Sequence, residues 1–139
     1  MATLEELREF FQDDRYAAFS GAQIDEAENG KAVCSMLIKP MHMNAGGVVQ
    51  GGAIFTLADF AFAVASNAKG TLTVSLNNSI SFLEAAKGSR LIARAVPVSD
   101  GNRIVVYQVS VWDDLGTHVA EMTVNGYVKK GAALPFAKK

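Results

Sequence analysis

One acidic side chain stands alone in a long apolar segment. Leaving histidine aside, Asp59 is the only charged residue between Pro40 and Lys69, and the residues from Ala53 to Ala68 are mostly apolar. Burial of an isolated carboxylate is costly unless it is paired, hydrogen-bonded or protonated. Aspartate is also a poor residue for the interior of a helix. Such conflicts cluster at functional sites, so Asp59 is a candidate functional carboxylate. The alternative is a structural aspartate that backbone donors satisfy at a bend or an interface.

The segment before Asp59 supplies groups that can hold a developing negative charge. Gly51 and Gly52 open the predicted helix, and free N–H groups at a helix start can stabilise an oxyanion when no side chain covers them. Asn44, in the preceding loop, can donate or accept a hydrogen bond. Each feature has an ordinary alternative, which is a tight loop-to-helix turn for the glycines and an Asx turn for Asn44.

The elements that position these residues follow a definite order. A capping box predicts a short N-terminal helix over about 3–12, and Asn29-Gly30 predicts the turn of a hairpin. The helix that carries Asp59 begins at Gly51 or Gly52, extends to Lys69 and is apolar on every face, which is typical of a buried helix. Alternating patterns then predict four long strands, at 71–86, 88–98, 103–113 and 117–129.

These elements predict one α+β domain over residues 1–139, with its core at about 20–130 and a loose tail at 131–139. A helix that is apolar all round must be covered on every side. One curved antiparallel sheet covers only part of it, so a second copy of the chain is a natural way to complete the sheet and cover the remainder.

Composition excludes several classes of function. The 139 residues carry 13 basic and 14 acidic side chains, a net charge of −1, so no global basic field exists to hold nucleic acid or an anionic membrane. Cys34 is the only cysteine, which excludes an intramolecular disulfide and a cysteine zinc cluster. His42 and His118 share no metal-ligand spacing, so no metal is expected. No targeting or membrane-spanning segment is visible, and a cytoplasmic protein is expected.

The loop and the helix together resemble a known family. The pattern H-x-N-x-x-G-x-x-H-G-G-x-x-F-x-L-A-D-x-A-x-A-x-A-x-N is similar to that of the hotdog-fold acyl-CoA thioesterases of the phenylacetate-degradation (PaaI-like) type. A later run, Ile80 to Gly88, also resembles a strand of that family. The resemblance implies a hotdog fold, in which a curved antiparallel sheet of five to six strands wraps a long central helix. The positions of this chain that correspond to the pattern are His42, Asn44, Gly47, Gln50, Gly51, Gly52, Phe55, Leu57, Ala58, Asp59, Ala61, Ala63, Ala65 and Asn67.

The resemblance also implies roles. Asp59 would act as nucleophile or general base toward a thioester carbonyl, and the backbone N–H of Gly51 would bind the carbonyl oxygen. Asn44 would help to place the thioester or the attacking water, and Ser75 is the small polar residue that assists from the next strand. The substrate is an acyl-CoA, whose coenzyme A is part of the substrate, so no cofactor is implied. Further substrate-binding candidates are Gly52, Phe60, Asn77 and Ser79; Phe60 is alternatively a core residue, and Asn77 and Ser79 are expected on the face of Ser75.

One position departs from the family pattern. Gln50 stands where the family has histidine, and glutamine can form hydrogen bonds but cannot titrate near neutrality. Gln50 remains a candidate catalytic residue if its position only orients other groups. A non-catalytic acyl-CoA-binding or sensing protein is therefore the alternative function. A hotdog hydratase or dehydratase ranks last, because it needs a histidine paired with an acid and His42 is the only candidate.

The spacing of two site residues favours a shared site. Gly51 and Asp59 are eight residues apart on one helix, which separates them by about 12 Å along its axis. Both cannot then easily reach one carbonyl. In a hotdog dimer the two central helices lie antiparallel, so Asp59 of one chain can face Gly51 of the other and form two equivalent sites. A homodimer is the minimum assembly, and the resemblance implies a homotetramer.

Overall fold

The computed structural model describes residues 1–137. A short 3-10 helix, Pro40–His42, lies in the loop before the central helix. In chain order the other elements are α1 (Leu4–Phe11), α2 (Arg15–Ser20), β1 (Gln23–Glu28), β2 (Lys31–Leu37), α3 (Gly51–Asn67), β3 (Thr71–Phe82), β4 (Arg90–Asp100), β5 (Ile104–Asp113) and β6 (His118–Ala133).

The six strands form one antiparallel sheet in the order β1-β2-β4-β5-β6-β3. We call the sheet face that packs on α3 the inner face, and the opposite one the outer face. The hydrophobic core lies between the inner face and α3, and its largest fully buried side chains include Tyr107, Phe62, Leu57 and Leu91. This arrangement, with one long helix held in a curved sheet, is the hotdog fold, so the predicted fold class is confirmed.

Local sequence signals account for several element ends. Thr3 and Glu6 form the capping box of α1, as predicted. Asn29 and Gly30 turn the β1–β2 hairpin with φ values of 52° and 75°, which a two-residue hairpin turn requires. α3 ends at Asn67, shortly before the predicted end at Lys69. Gly70, the predicted stop, follows it with a φ of 99°.

The structure differs from the predicted elements at both ends of the chain. α2 was not predicted, because a six-residue helix is too short to give a clear apolar period. Residues 131–133 extend β6 rather than starting a loose tail. Phe136 is 3% exposed and packs edge-on against Phe10, with ring centroids 5.6 Å apart. The apolar side chain of Phe136 thus holds the segment against α1, and Lys138 and Lys139 lie outside the described residues.

The sheet leaves one stripe of α3 open. Buried residues occupy most of the helix. Apart from Gly51 and Ala53 in the first turn, the partly buried or exposed positions recur at helical spacing on a single side. This open stripe consists of Gly52, Phe55, Thr56, Asp59 and Ala63. Beyond its first turn, this helix is therefore covered by its own chain except along the line that carries Asp59.

A second aspartate shows what a structural carboxylate looks like in this fold. Asp113, at the end of β5, is 3% exposed and accepts hydrogen bonds from the backbone N–H groups of Lys87, Gly88, Leu115 and Thr117 at 2.7–3.0 Å. Burial acts to raise the pKa of Asp113, but these donors outweigh it and hold the pKa well below the ordinary aspartate value. Its charge is therefore stabilised by the fold.

We expect Asp113→Ala to lower the free energy of unfolding at pH 7 by about 3 kcal/mol or more, because four backbone donors lose their charged acceptor. Since the folded pKa lies below the unfolded one, the stabilisation is present above the ordinary aspartate pKa and is lost as the pH falls through the lowered value. Urea unfolding at a series of pH values measures this. Asp13→Ala, at an exposed site, is the control and should change stability by less than about 0.5 kcal/mol.

Candidate active site

Asp59 lies in the middle of α3, on the open stripe. Its side chain is half-buried and accepts one hydrogen bond, from Asn78 Nδ2 to Oδ1 at 3.3 Å. Asn78 is on β3, one of the two edge strands of the sheet. In contrast to Asp113, Asp59 has a single neutral side-chain donor among residues 1–137 rather than a set of backbone N–H groups.

The environment of Asp59 disfavours its charge. Burial raises the pKa of Asp59 above the ordinary aspartate value, the hydrogen bond from Asn78 lowers it in part, and the nearby negative charge of Asp14 raises it further. The carboxyl group consequently keeps its proton to a higher pH than a solvated aspartate. Once ionised, it is a stronger base than an ordinary carboxylate, and this suits it to accept a proton from water.

In β3, beside Asp59, an irregularity reverses which residues face α3. The pairing with β6 passes from Ser75–Gly126 directly to Asn77–Asn125, so Leu76 is an extra residue in a β-bulge and is 61% exposed. Before the bulge, Ser75 lies on the inner face, opposite the buried Gly126. After the bulge, the inner face is taken over by even-numbered residues, and the first of these is Asn78.

Because of the bulge, Asn77 and Ser79 do not lie where the sequence predicts them. Asn77 and Ser79 pair with Asn125 and Thr123 on the outer face and are exposed, so the prediction that they share the face of Ser75 is wrong. A regular strand would have kept residues 75, 77 and 79 on one side, but one inserted residue reverses the alternation. The structure therefore brings Asn78 to Asp59 and places the two predicted binding residues on the other side of the sheet.

The first turn of α3 carries the two glycines. The first N–H groups to bond within the helix are those of Ala53 and Ile54, both to the Gln50 carbonyl at 3.0 and 3.3 Å, so the N–H groups of Gly51 and Gly52 precede the helical hydrogen bonds. The Phe82 ring lies against Gly51, where an added Cβ would approach its Cζ to 3.0 Å. Because residue 51 is a glycine, it has no side chain that could stand between its own N–H and a ligand.

Gln50 is the N-cap residue of α3, yet its side chain makes no capping hydrogen bond. The side chain is exposed and its Oε1 folds over Gly52, where an added Cβ would come within 2.8 Å. A cleft of about 300 Å³ adjoins this turn. It is lined by Val48, Val49, Gly51, Ile54 and the segment 82–85. The start of α3 thus combines unbonded N–H groups with a largely apolar cleft.

Asn44 organises the loop that leads into this turn. Its Oδ1 accepts hydrogen bonds from the N–H groups of Gly46 and Val48 at 2.9 and 3.2 Å, and its own N–H donates to the Val48 carbonyl at 2.7 Å. This is the Asx-type turn that was the alternative for Asn44. The side-chain oxygen is therefore engaged by the loop, while the residue itself is exposed.

His42 is a structural anchor of the same loop. The ring is 4% exposed, and its Nδ1 accepts a hydrogen bond from the Lys39 N–H at 2.9 Å. Because Nδ1 accepts, Nε2 carries the hydrogen and donates it to the Ser20 carbonyl at 2.8 Å. Both ring nitrogens are thus occupied by backbone groups, and the structure does not pair His42 with an acid.

Phe60 is placed in the core. It is 4% exposed and packs edge-on against Phe11 of α1, with ring centroids 5.6 Å apart. This placement accords with the core role that was its alternative.

Within one chain the candidate residues form two separate groups. Asp59 and Asn78 meet at the middle of α3, and Gly51, Gln50 and Phe82 meet at its start. Sequence reasoning missed Asn78 and Phe82. No sequence signal marks the bulge that turns Asn78 inward, because the extra residue is a leucine rather than a glycine. Phe82 was visible only as part of the run that resembles the family strand.

The fold and the position of Asp59 define the class of this protein as a hotdog protein with a carboxylate on its central helix. Residues 46–131 match the family model described as Thioesterase superfamily. The chain belongs to the thioesterase superfamily, whose members share this fold, and the expected relationship to PaaI-like hotdog thioesterases is confirmed.

Individual relatives can be named by similarity. A putative esterase of Archaeoglobus fulgidus is 39% identical over 102 residues, which cover 73% of this chain and 66% of that protein, just under two thirds of its length. The acyl-coenzyme A thioesterase PaaI of Escherichia coli is 31% identical over 102 residues, 73% of each chain.

Solved structures agree with this relationship. That of the Escherichia coli PaaI protein from the phenylacetic acid degradation operon has a TM-score of 0.86 at 25% identity and covers 95% of this chain and 99% of that chain. A hypothetical thioesterase of Streptococcus pneumoniae with coenzyme A has a TM-score of 0.81 at 25% identity and covers 91% and 98%.

Two further findings concern residues 1–137. Their helices are all too short or too polar to cross a membrane. Their His, Cys, Asp and Glu side chains form no group of three or more that could hold a metal ion.

Proposed function

We propose that the protein is an acyl-CoA thioesterase, which hydrolyses an acyl- or aryl-CoA to the free acid and CoA. The observation that carries the proposal is Asp59, a half-buried carboxylate with a raised pKa on the open stripe of α3. Its placement in a thioesterase-superfamily fold supports a role in attack on a thioester. The similarity to the acyl-coenzyme A thioesterase of Escherichia coli and to the streptococcal structure with coenzyme A supports the same substrate class.

The proposed chemistry needs few groups. In one route Asp59 takes a proton from water, whose oxygen attacks the thioester carbonyl. In the other route the carboxylate attacks the carbonyl itself, CoA leaves as the anhydride forms, and water then hydrolyses the anhydride. In both routes the carbonyl oxygen becomes an oxyanion, for which the Gly51 N–H is the proposed donor. The C–S bond then breaks and CoA leaves as a thiolate, which needs little help because thiols ionise near pH 8.5. Hydrolysis of this kind requires no cofactor, because coenzyme A is part of the substrate.

A homodimer is part of the proposal, and the two sheet edges support it differently. β1, at one edge, is short, bulged and carries Asp25, Glu26 and Glu28, which are devices that discourage edge pairing. β3, at the other edge, is 12 residues long and has no charged residue. A long uncharged edge favours pairing with another strand, so we propose that β3 pairs with β3 of a second copy.

Such a dimer would complete the site. If a two-fold axis relates the copies beside β3, the two α3 helices lie antiparallel with their open stripes toward each other, and Asp59 of one copy faces Gly51 of the other. Asn44, Gln50 and Gly52 would border the thioester from the Gly51 side, and Ser75 from the Asp59 side. Two such dimers would form the homotetramer that the family resemblance implies.

The activity is tested by the release of free thiol from a panel of acyl-CoAs that includes phenylacetyl, other aryl and medium-chain fatty acyl groups. We expect turnover on at least one of them, well above the rate without protein. Binding of acyl-CoA without turnover on any member would refute the hydrolase and support the alternative, a binding or sensing protein. The absence of both binding and turnover would refute the hydrolase and the binding protein alike.

A further inference from the structure

The side chain that holds Asp59 comes from an unexpected place on β3. The bulge at Leu76 turns Asn78 to the inner face, where its Nδ2 reaches Asp59 Oδ1 at 3.3 Å. We propose that Asn78 is a positioning residue for the reaction, which holds one carboxylate oxygen of Asp59 and leaves the other for the attacking water or the carbonyl carbon. This inference rests on the proposed thioesterase function.

The orientation of the Asn78 amide is set by a second contact. Its Nδ2 also lies 3.8 Å from the Sδ of Met122, a fully buried residue of β6. The NH₂ group thus has an acceptor for each of its two hydrogens, the Asp59 carboxylate and the weaker Met122 sulfur. The strand supplies the rigidity, because Asn78 pairs with Val124 in the sheet. A loop residue would hold the carboxylate less precisely.

A neutral donor is suited to this role. The backbone donors of Asp113 show that several hydrogen bonds depress a carboxyl pKa in this fold, and a cation beside Asp59 would similarly weaken it as a base. One amide orients the carboxylate while its pKa stays raised. β3 brings no charged group to Asp59, and Asp14, at the start of α2, adds a nearby negative charge.

The bulge explains why the residue is Asn78 and not its neighbour. Without the extra Leu76, Asn77 would face α3 and Asn78 would face outward. Two successive asparagines therefore differ only in face, one beside Asp59 and one opposite Asn125 on the outer face.

The test is the pH dependence of kcat/KM for the best acyl-CoA. Asn78→Leu keeps the approximate size but removes the donor, and Asn78→Asp keeps the shape but places a carboxyl against Asp59. We expect kcat/KM to fall about tenfold or more at the acid end of the profile, where the variants keep Asp59 protonated. A smaller deficit should persist at high pH, where Asp59 is ionised but is no longer held in one orientation. Asn125→Leu, the same change on the outer face of β6, should keep the wild-type profile.

The outcomes are distinguishable. Absence of turnover in the wild type would refute the proposed function. Wild-type turnover with an equal deficit at every pH in both Asn78 variants, or with no deficit, would refute the positioning role. If Asn78→Leu does not fold, Asn78→Asp carries the test. NMR gives a readout that does not depend on activity, because the chemical shift of the Asp59 carboxyl carbon follows its titration. The midpoint of this titration should move to higher pH in Asn78→Leu but not in Asn125→Leu.

Discussion

Asp59→Asn is expected to lower kcat/KM for thioester hydrolysis by about a hundred- to ten-thousandfold, the range that a general base contributes. The amide has the shape of the carboxylate but can neither accept a proton nor attack the carbonyl. Because Asn78 and the open stripe remain, the binding of acyl-CoA should change little. Initial rates and equilibrium binding of a non-hydrolysable acyl-CoA analogue, measured on the same preparation, separate the two effects.

The same substitution should raise stability at neutral pH. The folded-state pKa of Asp59 lies above the unfolded one, so its contribution to stability is fully present below the ordinary aspartate pKa and is lost as the pH rises through the raised value. Asparagine has no such titration. The stability advantage of Asp59→Asn in urea unfolding should therefore be absent in acid and grow with pH. Asp113→Asn is the matched control, and its sign is opposite because the pKa of Asp113 is lowered.

A loss of activity that accompanies a loss of stability would contradict this account, since it would make Asp59 a structural carboxylate like Asp113. Unchanged turnover in Asp59→Asn would remove the carboxylate from the chemistry altogether. The expected pair of results, an inactive but more stable protein, is the signature of a residue kept for function at a cost in stability.

Much of the fold was predictable because local and global signals agree. The Asn29-Gly30 turn, the capping box at Thr3 and the all-apolar α3 each have one favourable solution. The tail and α2 were not predictable on the same grounds. Residues 131–137 are held by distant partners, such as the Phe10 ring that receives Phe136, and no local pattern encodes that contact.

The candidate site divides in the same way. Asp59 was visible from the sequence because a lone carboxylate contradicts its apolar surroundings, and Gly51 was visible from its place at the helix start. Asn78 was not visible, because the alternation that predicts the face of a strand residue holds only while the pairing is regular. The extra residue Leu76 in the bulge reverses that alternation for the residues after it. The roles of all these residues remain predictions.

Gly51→Pro is expected to lower kcat/KM by about a hundred- to a thousandfold, the loss of one oxyanion donor. Proline removes the N–H, and the first position of a helix tolerates it. Gln50 before it has φ −65° and ψ 141°, which a residue preceding proline favours. Gly51→Ala is the matched control, because it presents the same Cβ to the Phe82 ring but keeps the N–H, so it should lose much less activity.

Mixing the two inactive variants then tests whether the site is shared. In a dimer of one Asp59→Asn chain and one Gly51→Pro chain, a shared site formed by the wild-type Asp59 and the wild-type Gly51 is intact, and the other site has both defects. Random assembly of equal amounts makes about half of the dimers mixed, so activity should recover to about a quarter of the wild type. If both residues acted within one chain, activity would stay at the level of the parents.

The reciprocal mixture closes the test. Wild type assembled with the double variant Asp59→Asn/Gly51→Pro gives mixed dimers in which each shared site carries one defect, so only wild-type dimers are active. The expected activity is about a quarter of that of the same total amount of wild type, whereas sites confined to one chain would retain about half. The mass of the intact assembly should be a multiple of the 14.8 kDa chain. The small mass difference between the two chains identifies the mixed assemblies. Recovery in the first mixture together with a quarter in the second requires Asp59 and Gly51 to meet across two chains, and no arrangement within one chain yields both values.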